Sequence, residues 1–337
     1  YESLIYEDFE GEINWTLSGE FQIGVPQGLG STNSSGSYSL DPDSNAVSGT
    51  KVLGTDLDSL GEHGGDYEPS IGYNAYYAAS PSVNCEYYQD VSVNYYQWLN
   101  IELGDNSSVY LVCNQEDTSE AWSNNKYYFG GEWSFRRLNL GNRASRNPEV
   151  KVIFSFGPTD ESGNYGGWNI DDFSITGDYI ATDVGVADWL NPNEGCGLTD
   201  QETVKVVIKN YGAQDLTDPI PVAFSIDNGN TFIQDTIQQD IPVNDSIIFA
   251  FSSKGAFGEP GLYKVLAETR VQEDEDAQND RFSTQLFAYP NEDLPYSENF
   301  EQNDGYWQSL GTNKTWEYGT PKGDNLDSAA SGNNVWM

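Results

Sequence analysis

Short runs in which apolar and polar residues alternate recur along the chain, and each predicts a β-strand with one buried face. The segments Val150–Phe156, Val109–Cys113 and Ile247–Phe251 carry apolar side chains at every second position. Clusters rich in Gly, Asn and Asp, such as residues 104–108 and 227–230, separate the runs and predict turns. No segment has the periodicity of a helix longer than two turns. We therefore predict an all-β protein built of antiparallel sandwiches.

The opening of the chain recurs near its end. The segment Leu4–Glu10 is similar to Leu294–Glu301, and both contain an aromatic residue followed by glutamate. The positions that follow align Trp15, Phe21, Gly24, Pro26, Gly28, Asp41, Asp43, Ser44, Ser48, Gly49 and Val52 with Trp307, Trp316, Gly319, Pro321, Gly323, Asp324, Asp327, Ser328, Ser331, Gly332 and Val335. Agreement at so many aromatic, glycine and proline positions indicates an internal repeat. Because the second copy stops at Met337, we expect the natural protein to continue as a longer multi-domain chain.

A different unit lies between the copies. Its strand-like runs recur at roughly 10–15-residue spacing, which fits an immunoglobulin-like sandwich. The runs are Val204–Ile208, Val222–Ile226, Ile247–Phe251 and Gly261–Val265. The pattern predicts three modules, at residues 1–178, 179–290 and 291–337, the last of them truncated.

Charge restricts the classes of partner. The chain has 337 residues with 53 acidic and 15 basic side chains, a formal charge of −38. Phosphate backbones and anionic membrane surfaces repel such a protein, so we expect no nucleic acid partner. No apolar run approaches the roughly 20 residues of a membrane-spanning helix. The single histidine, His63, leaves almost nothing for Ser-His-Asp, Cys-His or multi-histidine metal sites. We therefore expect no catalytic site.

The first module resembles the MAM-like jelly-roll modules of secreted bacterial proteins. The residues that carry the resemblance are Tyr6–Glu10, Phe156–Asp160 and the ending Gly166–Ile175, which contains Trp-Asn-Ile-Asp-Asp. The resemblance covers roughly residues 1–178 and resumes near residue 294. It implies a jelly-roll β-sandwich whose first and last strands lie side by side, and a second jelly roll that begins at 291–337.

The middle module resembles CARDB-type adhesion modules. The matching segments are Asp183–Val186, Cys196–Thr199, Glu202–Val204, Asn210–Gly212 and Gln278–Asp280. Jelly roll, CARDB and jelly roll in tandem are similar to large surface proteins of gliding bacteria that use type IX secretion. Such modules occur there in adhesins and as non-catalytic parts of proteases.

That resemblance also bears on glycosylation, since the group's O-glycosylation acceptor is Asp-Ser/Thr-apolar. Four segments match it, namely Asp58–Leu60, Asp235–Ile237, Asp245–Ile247 and Asp327–Ala329. So short a pattern also fits plain solvated turns, and both interpretations stay open.

Clustered carboxylates predict a calcium site. Calcium takes six to eight oxygen ligands and needs no histidine. If the first and last strands are neighbours, Glu10 comes close to Asp171 or Asp172, and the turn carrying Asp41 and Asp43 can complete the shell, as equivalent acidic turns do in MAM-like modules. Because adjacent strand residues face opposite ways, we expect at most one of Asp171 and Asp172 to point into the site. The alternative is that Asp171 and Asp172 end a strand while Asp41 and Asp43 form a solvated turn.

Aromatic side chains indicate a second kind of site. Sugar rings stack on exposed aromatic faces, so a crowd of tyrosines and tryptophans is typical of a glycan-binding face. The residues are Tyr73, Tyr76, Tyr77, Tyr87, Tyr88, Tyr95, Tyr96, Trp98, Trp122, Tyr127, Tyr128 and Trp133. Strand alternation places about half of them in the core, and an ordinary core and surface is the alternative.

Basic residues and cysteines each leave two interpretations. Five of the 15 basic residues lie at Arg136, Arg137, Arg143, Arg146 and Lys151, where they either pair within the module or dock an acidic neighbour or anionic glycan. Cys85 and Cys113 either bridge adjacent strands or are free buried thiols, and Cys196 has no partner in the chain.

Together these observations predict a non-enzymatic segment of an extracellular cell-surface protein. Its modules bind a glycan or protein ligand, or act as spacers, and calcium stabilises them. Two alternatives remain: the accessory region of a secreted protease whose catalytic domain lies outside this sequence, and a self-assembling subunit of a surface filament or sheath.

Overall fold

The structure is a computed structural model of the chain. It describes residues 1–12, 14–29, 41–42, 45–57, 65–73, 75–115, 117–124, 126–129, 131–292, 295–309, 312, 314–323 and 326–337. The chain forms two compact units, Tyr1–Ile180 and Ala181–Met337. Among the described residues, the helices and strands of both units are almost all β-strands, which confirms the predicted all-β class.

In its described residues, the first unit contains twelve strands and one short helix. The strands are β1 (Glu2–Glu7), β2 (Thr16–Leu17), β3 (Phe21–Gly24), β4 (Val52–Thr55), β5 (Tyr76–Ala79), β6 (Tyr88–Ile101), β7 (Ser107–Cys113), β8 (Asp117–Ser123), β9 (Tyr128–Phe129), β10 (Ser134–Asn139), β11 (Val150–Phe156) and β12 (Gly167–Tyr179). The helix α1 (Gly141–Ala144) is a single turn.

These strands form a seven-stranded and a five-stranded antiparallel sheet. The first has the order β10-β6-β12-β4-β3, with β1 added to β12 and β9 to β6, and the second has the order β2-β5-β11-β7-β8. The predicted alternation in β11 is confirmed, because Val150, Val152, Phe154 and Phe156 are all fully buried. Trp168 on β12 packs edge-on against Phe154 with ring centroids 5.2 Å apart. The core therefore lies between the two sheets, as in a β-sandwich.

The part of the second unit that the structure describes contains ten strands in three sheets. They are β13 (Val184–Asn191), β14 (Gly195–Cys196), β15 (Glu202–Asn210), β16 (Ile220–Ser225), β17 (Ile233–Ile237), β18 (Ser246–Gly255), β19 (Gly261–Thr269), β20 (Arg281–Tyr289), β21 (Tyr318–Gly319) and β22 (Val335–Trp336). The sheet orders are β13-β15-β18, β14-β20-β19-β16-β17 and β21-β22. Phe224 and Phe251 meet edge-on, 4.8 Å apart, in the core of this unit.

The first and last strands of the first unit pair directly, as the resemblance implies. β1 runs antiparallel to β12, with Glu7 opposite Phe173. A register irregularity interrupts the pairing of β12 with β6 between Asp171 and Ser174, and Asp172 has a φ of +49°. This irregularity has the character of a β-bulge, which redirects the side chains around it.

The three cysteines are free thiols. Cys85 and Cys113 are buried and unbridged, and Cys196 is exposed. Burial raises the pKa of Cys85 to about 12 and also raises that of Cys113, so both stay protonated at neutral pH. Within the described residues, no helix combines the length and apolarity needed to cross a bilayer.

Candidate functional site

The carboxylate of Glu10 binds the backbone N–H groups of one loop of the first unit. Its Oε1 atom accepts hydrogen bonds from the N–H groups of Thr50 at 2.6 Å and Lys51 at 2.5 Å. These donors lower the pKa of Glu10, because they stabilise its ionised form. Glu10 thus holds the end of residues 47–51, which we call the 47–51 segment.

Asp171 and Asp172 contact the same segment. Asp171 Oδ2 accepts hydrogen bonds from the backbone N–H of Val47 at 2.7 Å and Ser48 at 3.1 Å. Asp172 Oδ1 accepts hydrogen bonds from the Ser48 hydroxyl at 2.6 Å and the Tyr6 hydroxyl at 2.5 Å. Burial raises the pKa of Asp171 to about 6, and the backbone donors only partly oppose this.

The expectation that at most one of these two aspartates points into a calcium site stays a prediction, but the regular alternation behind it does not hold here. Both Asp171 and Asp172 contact Ser48, although they are adjacent in the chain. The irregularity in β12 and the positive φ of Asp172 break the regular alternation that the expectation assumed.

Asp41 lies in a different set of contacts from these three residues. Its Oδ1 atom accepts a hydrogen bond from Asn169 Nδ2 at 2.7 Å. Burial raises its pKa well above the usual value, and the charges of Asp66 and Asp56 raise it further. Asp43, like His63 and Asp58–Leu60, lies outside the described residues. The structure therefore brings Glu10, Asp171 and Asp172 to one segment, and calcium binding by the predicted set stays a prediction.

A further acidic cluster consists of Glu102, Asp105 and Asp160, whose carboxylate oxygens lie within 4.8 Å of one another. Asp105 is fully buried and accepts hydrogen bonds from the Tyr67 hydroxyl at 2.5 Å and the Asp160 N–H at 2.8 Å. Burial raises its pKa to about 6. The arrangement has the donor atoms that a hard cation requires.

The sequence interpretation missed this cluster, although it contained a signal. β7 begins at Ser107, and Ser107 is paired with Phe156 at the end of β11. Acidic residues just before one strand and just after its antiparallel partner meet at the same sheet end. Only the strand pairing, which the sequence did not predict, turns Asp105 and Asp160 into neighbours.

Strand alternation divides the predicted aromatic residues between two faces of β6. Tyr95 points into the core and is 1 % exposed. Tyr96 and Trp98 lie on the opposite face, because successive side chains of a strand alternate. Phe135 pairs with Tyr96 across the sheet, and their rings meet at 5.3 Å. Trp133 meets Trp98 edge-on at 6.0 Å.

β9 extends this outer aromatic surface. Phe129 pairs with Asn100, which lies two positions beyond Trp98 on the same face of β6. Tyr127 stacks on Phe129 with centroids 5.7 Å apart and ring planes 14° from parallel. We call the whole set the aromatic strip, and it consists of Tyr96, Trp98, Tyr127, Phe129, Trp133 and Phe135. Tyr127, Phe129 and Phe135 are each more than half exposed.

Three arginines from the predicted basic group make contacts within the unit. Arg136 lies 5.9 Å from the ring centre of Tyr128, and Arg137 lies 4.4 Å from that of Tyr1. Arg143 forms an ion pair with Asp117. These contacts agree with internal pairing, the first of the two interpretations of the basic residues.

Comparison with known proteins gave weak structural likenesses only. No family model matches the chain. No curated protein matches it either. The K1 adhesin domain of Lys-gingipain from Porphyromonas gingivalis W83 is 12 % identical, covers 52 % of this chain and 98 % of its own, and has a TM-score of 0.34. A tandem of CBM22 domains from Paenibacillus barcinonensis Xyn10C is 11 % identical, with 85 % and 97 % coverage and a TM-score of 0.30. A CARDB domain from Pyrococcus furiosus is 14 % identical, with 32 % and 96 % coverage and a TM-score of 0.26. Likeness of this degree assigns no activity to the chain.

Proposed function

We propose that the chain is a non-enzymatic segment of an extracellular cell-surface protein, and that its first module binds a glycan at the aromatic strip. The observation that carries the proposal is the outward row of aromatic rings along β6, β9 and β10. The three-module division at 1–178, 179–290 and 291–337 is part of the proposal, as is stabilisation of the fold by calcium.

The geometry of the strip suits a linear sugar chain. Tyr96 and Trp98 are two residues apart on one strand, and Phe129 lies opposite Asn100, one repeat further along. Side chains two residues apart on a strand stand roughly 7 Å apart, so the strip offers several adjacent stacking positions. Apolar faces of sugar rings stack on such aromatic surfaces. The exposed Tyr127, Phe129 and Phe135 would supply most of this contact.

Charge favours a neutral ligand. The formal charge of −38 produces a negative field that repels anionic polymers. Two arginines of β10 are engaged within the unit, since Arg136 contacts Tyr128 and Arg137 contacts Tyr1. We therefore propose a neutral polysaccharide as the ligand.

The test is affinity measurement on the full chain with neutral xylan, mannan and β-1,3-glucan, with heparin as the anionic comparison. Phe129→Ala and Phe135→Ala each remove one exposed ring, and we expect roughly tenfold weaker binding from each. Tyr73→Ala is the matched control, because Tyr73 is 99 % exposed and lies outside the strip. Equal affinity of all three variants, or binding to none of the neutral polymers, would contradict the proposal.

A further inference from the structure

Three tryptophans of the second unit line one open cavity. Its volume is about 260 Å³, and the residues that line it are Trp307, Gln308, Ser309, Trp316 and Trp336. Trp307 is 51 % exposed and Trp316 is 63 % exposed. We call the three tryptophans the tryptophan surface. A group of large exposed apolar side chains is typical of a surface that another polypeptide segment covers.

The tryptophan surface corresponds to buried residues of the first unit. In the internal repeat its three members correspond, in chain order, to Trp15, Phe21 and Leu53. All three of these residues belong to the core of the first sandwich. The same positions of the repeat are therefore core in one copy and surface in the other.

The backbone of the second copy reproduces the start of the first sandwich. Gly319 of β21 pairs with Val335 of β22, just as Gly24 of β3 pairs with Val52 of β4. Within the described part of residues 291–337, β21 and β22 are the only strands. The first unit adds β12 to the other edge of β4. No strand occupies the equivalent place beside β22 in the described residues.

The edge of β22 that faces away from β21 can accept such a strand. Glu317 and Met337 exchange two backbone hydrogen bonds, at 2.8 and 3.0 Å. In an antiparallel ladder, the residue next to such a pair directs its own N–H and C=O groups to the opposite edge. That residue is Trp336, and its counterpart Leu53 pairs with Ile170 of β12 at this edge. An edge with unpaired groups is a template for strand addition.

Aromatic contacts indicate which side chains would cover the tryptophan surface. Trp15 meets Phe9 at 5.6 Å and also meets Phe173 of β12 at 4.9 Å. Trp307 makes the first of these contacts only, with Phe300 at 5.3 Å. The half-exposed ring of Trp307 therefore has room for an aromatic side chain in the place that Phe173 occupies beside Trp15.

Charge complementarity points to the same kind of strand. In the first unit, Asp171 of β12 accepts hydrogen bonds from the backbone N–H groups of Val47 and Ser48. The equivalent residues of the second copy, Ala330 and Ser331, are exposed. Their N–H groups carry partial positive charge, which suits a carboxylate on an incoming strand.

We propose that the tryptophan surface and the outer edge of β22 bind an extended strand of the β12 type, with an aspartate and an aromatic residue at the positions of Asp171 and Phe173. This strand belongs to the third module itself, as β12 belongs to the first. The inference rests on the proposed division into three modules, and it adds the segment that completes the core of the third.

The experiment titrates the full chain into a fluorescently labelled peptide with the sequence of residues 167–179 and follows fluorescence anisotropy. A peptide of the same composition in scrambled order should not bind. We expect Trp336→Ala in the chain to weaken binding at least about tenfold. Ile248→Ala is the matched control, because Ile248 is 66 % exposed in the same unit and lies outside the tryptophan surface. It should leave the affinity unchanged.

Two substitutions in the peptide leave the chain itself intact, so they are informative even if Trp336→Ala fails to fold. Phe173→Ala removes the ring that would meet Trp307, and Asp171→Asn removes the carboxylate that would face Ala330 and Ser331. We expect each substitution to weaken binding roughly tenfold. Hydrogen exchange should in addition slow at the Trp336 amide when the unmodified peptide is bound.

Equal affinity for the native and scrambled peptides, or for the native peptide and its Phe173→Ala variant, would overturn the proposal. A wild-type chain that dimerises in solution, together with a monomeric Trp336→Ala chain, would assign the tryptophan surface to a second copy and overturn it as well. Neither result concerns the aromatic strip of the first unit, so the affinity measurements with polysaccharides decide glycan binding separately.

Discussion

Glu10 accepts a hydrogen bond from the backbone N–H of Thr50 at 2.6 Å, 40 residues further along the chain. The second unit contains the same relationship, because Glu301 Oε1 accepts from the N–H groups of Asn333 at 2.9 Å and Asn334 at 2.8 Å. Glu10 and Glu301 occupy equivalent positions of the repeat seen in the sequence. Both copies of the repeat therefore contain the same contact, in which a glutamate carboxylate accepts hydrogen bonds from the backbone N–H groups of a loop that is distant in sequence.

A glycine precedes each pair of backbone donors. Gly49 has a φ of +59° and Gly332 a φ of +68°. A Cβ atom would lie 2.5 Å from Glu10 Cδ in the first case and 2.2 Å from Glu301 Cδ in the second. Both the left-handed conformation and the close approach of the carboxylate therefore require glycine.

Replacing either glutamate should release only its own loop. Glu10→Ala removes the acceptor of Thr50 and Lys51, so we expect their amide hydrogens to exchange faster, while Asn333 and Asn334 keep their rates. Glu301→Ala should show the reverse pattern, which makes each variant the control of the other. Hydrogen exchange followed by mass spectrometry measures both loops at once. Unchanged exchange at 50–51 in Glu10→Ala would contradict the prediction.

Gly167→Ala should destabilise the first unit. Gly167 has a φ of +78°, and a Cβ atom there would lie 2.0 Å from Thr55 Oγ1. That oxygen is itself fixed, because it accepts a hydrogen bond from the Trp168 N–H at 3.0 Å. We expect a loss of at least about 2 kcal/mol in the free energy of unfolding.

Gly72→Ala is the matched control for this variant. No atom lies within 4 Å of a Cβ placed on Gly72, and its φ is outside the left-handed region. We expect a change within about 0.5 kcal/mol. Urea denaturation gives both values, and equal midpoints for the two variants would count against the steric argument.

Asp105 should make the first unit less stable as the pH rises. Its pKa is raised by burial from the usual 3.8 to about 6, so the folded state holds the proton more tightly than the unfolded state. The stabilisation is complete below pH 4 and is lost as the pH rises through 6, by about 3 kcal/mol in total. Asp105→Asn removes this titration. Its free energy of unfolding should therefore rise relative to that of the wild type as the pH increases from 4 to 6.

The measurement is urea denaturation between pH 4 and pH 8 in the presence of EDTA. EDTA matters because Asp105 belongs to an acidic cluster with Glu102 and Asp160. Asp240→Asn, at an exposed position of the second unit, is the control. Its free energy of unfolding should change with pH in the same way as that of the wild type. A parallel profile for Asp105→Asn as well would mean that burial of this carboxyl has no energetic effect.

The local alternation of apolar and polar residues predicted the strands, whereas the positions of the candidate site residues depend on how the strands pair. The buried row Val150–Phe156 follows from alternation alone, since its period is that of a strand with one face in the core. The shared contact of Asp171 and Asp172 with Ser48 does not follow, because it depends on an irregularity in β12 that alternation cannot encode.

Long-range contacts explain why the buried carboxylates were only partly predicted. Asp41 was identified from its acidic turn, but Asp56 and Asp66 stand in sequence surroundings that look like ordinary polar turns. Asp56 directly follows β4, and its N–H donates to the carbonyl of the distant Glu20 at 3.0 Å. A carboxylate next to a strand end is common in sequence, and only tertiary structure shows which one is buried.

Asn210 should be among the most sensitive polar residues of the second unit. It is fully buried, its Nδ2 atom donates to the carbonyls of Gln214 at 2.8 Å and Ile241 at 3.0 Å, and its Oδ1 atom accepts from the Gly212 N–H at 3.0 Å. Asn210→Ala removes all three bonds, and we expect a loss of about 2–4 kcal/mol. Asn210→Asp should cost more, because it sets a carboxylate oxygen against two carbonyls.

Exchange of the buried β15 amides under native conditions measures this change without interference from the first unit. The amides of Val206 and Ile208 suit the purpose, since both side chains are fully buried in this core. Asn193→Ala is the control, because its exposed amide makes one long hydrogen bond, to the Leu190 carbonyl at 3.3 Å. We expect that variant to stay within about 0.5 kcal/mol of the wild type. If the β15 amides exchange at the same rate in Asn210→Ala as in Asn193→Ala, the buried hydrogen bonds of Asn210 do not stabilise this sandwich.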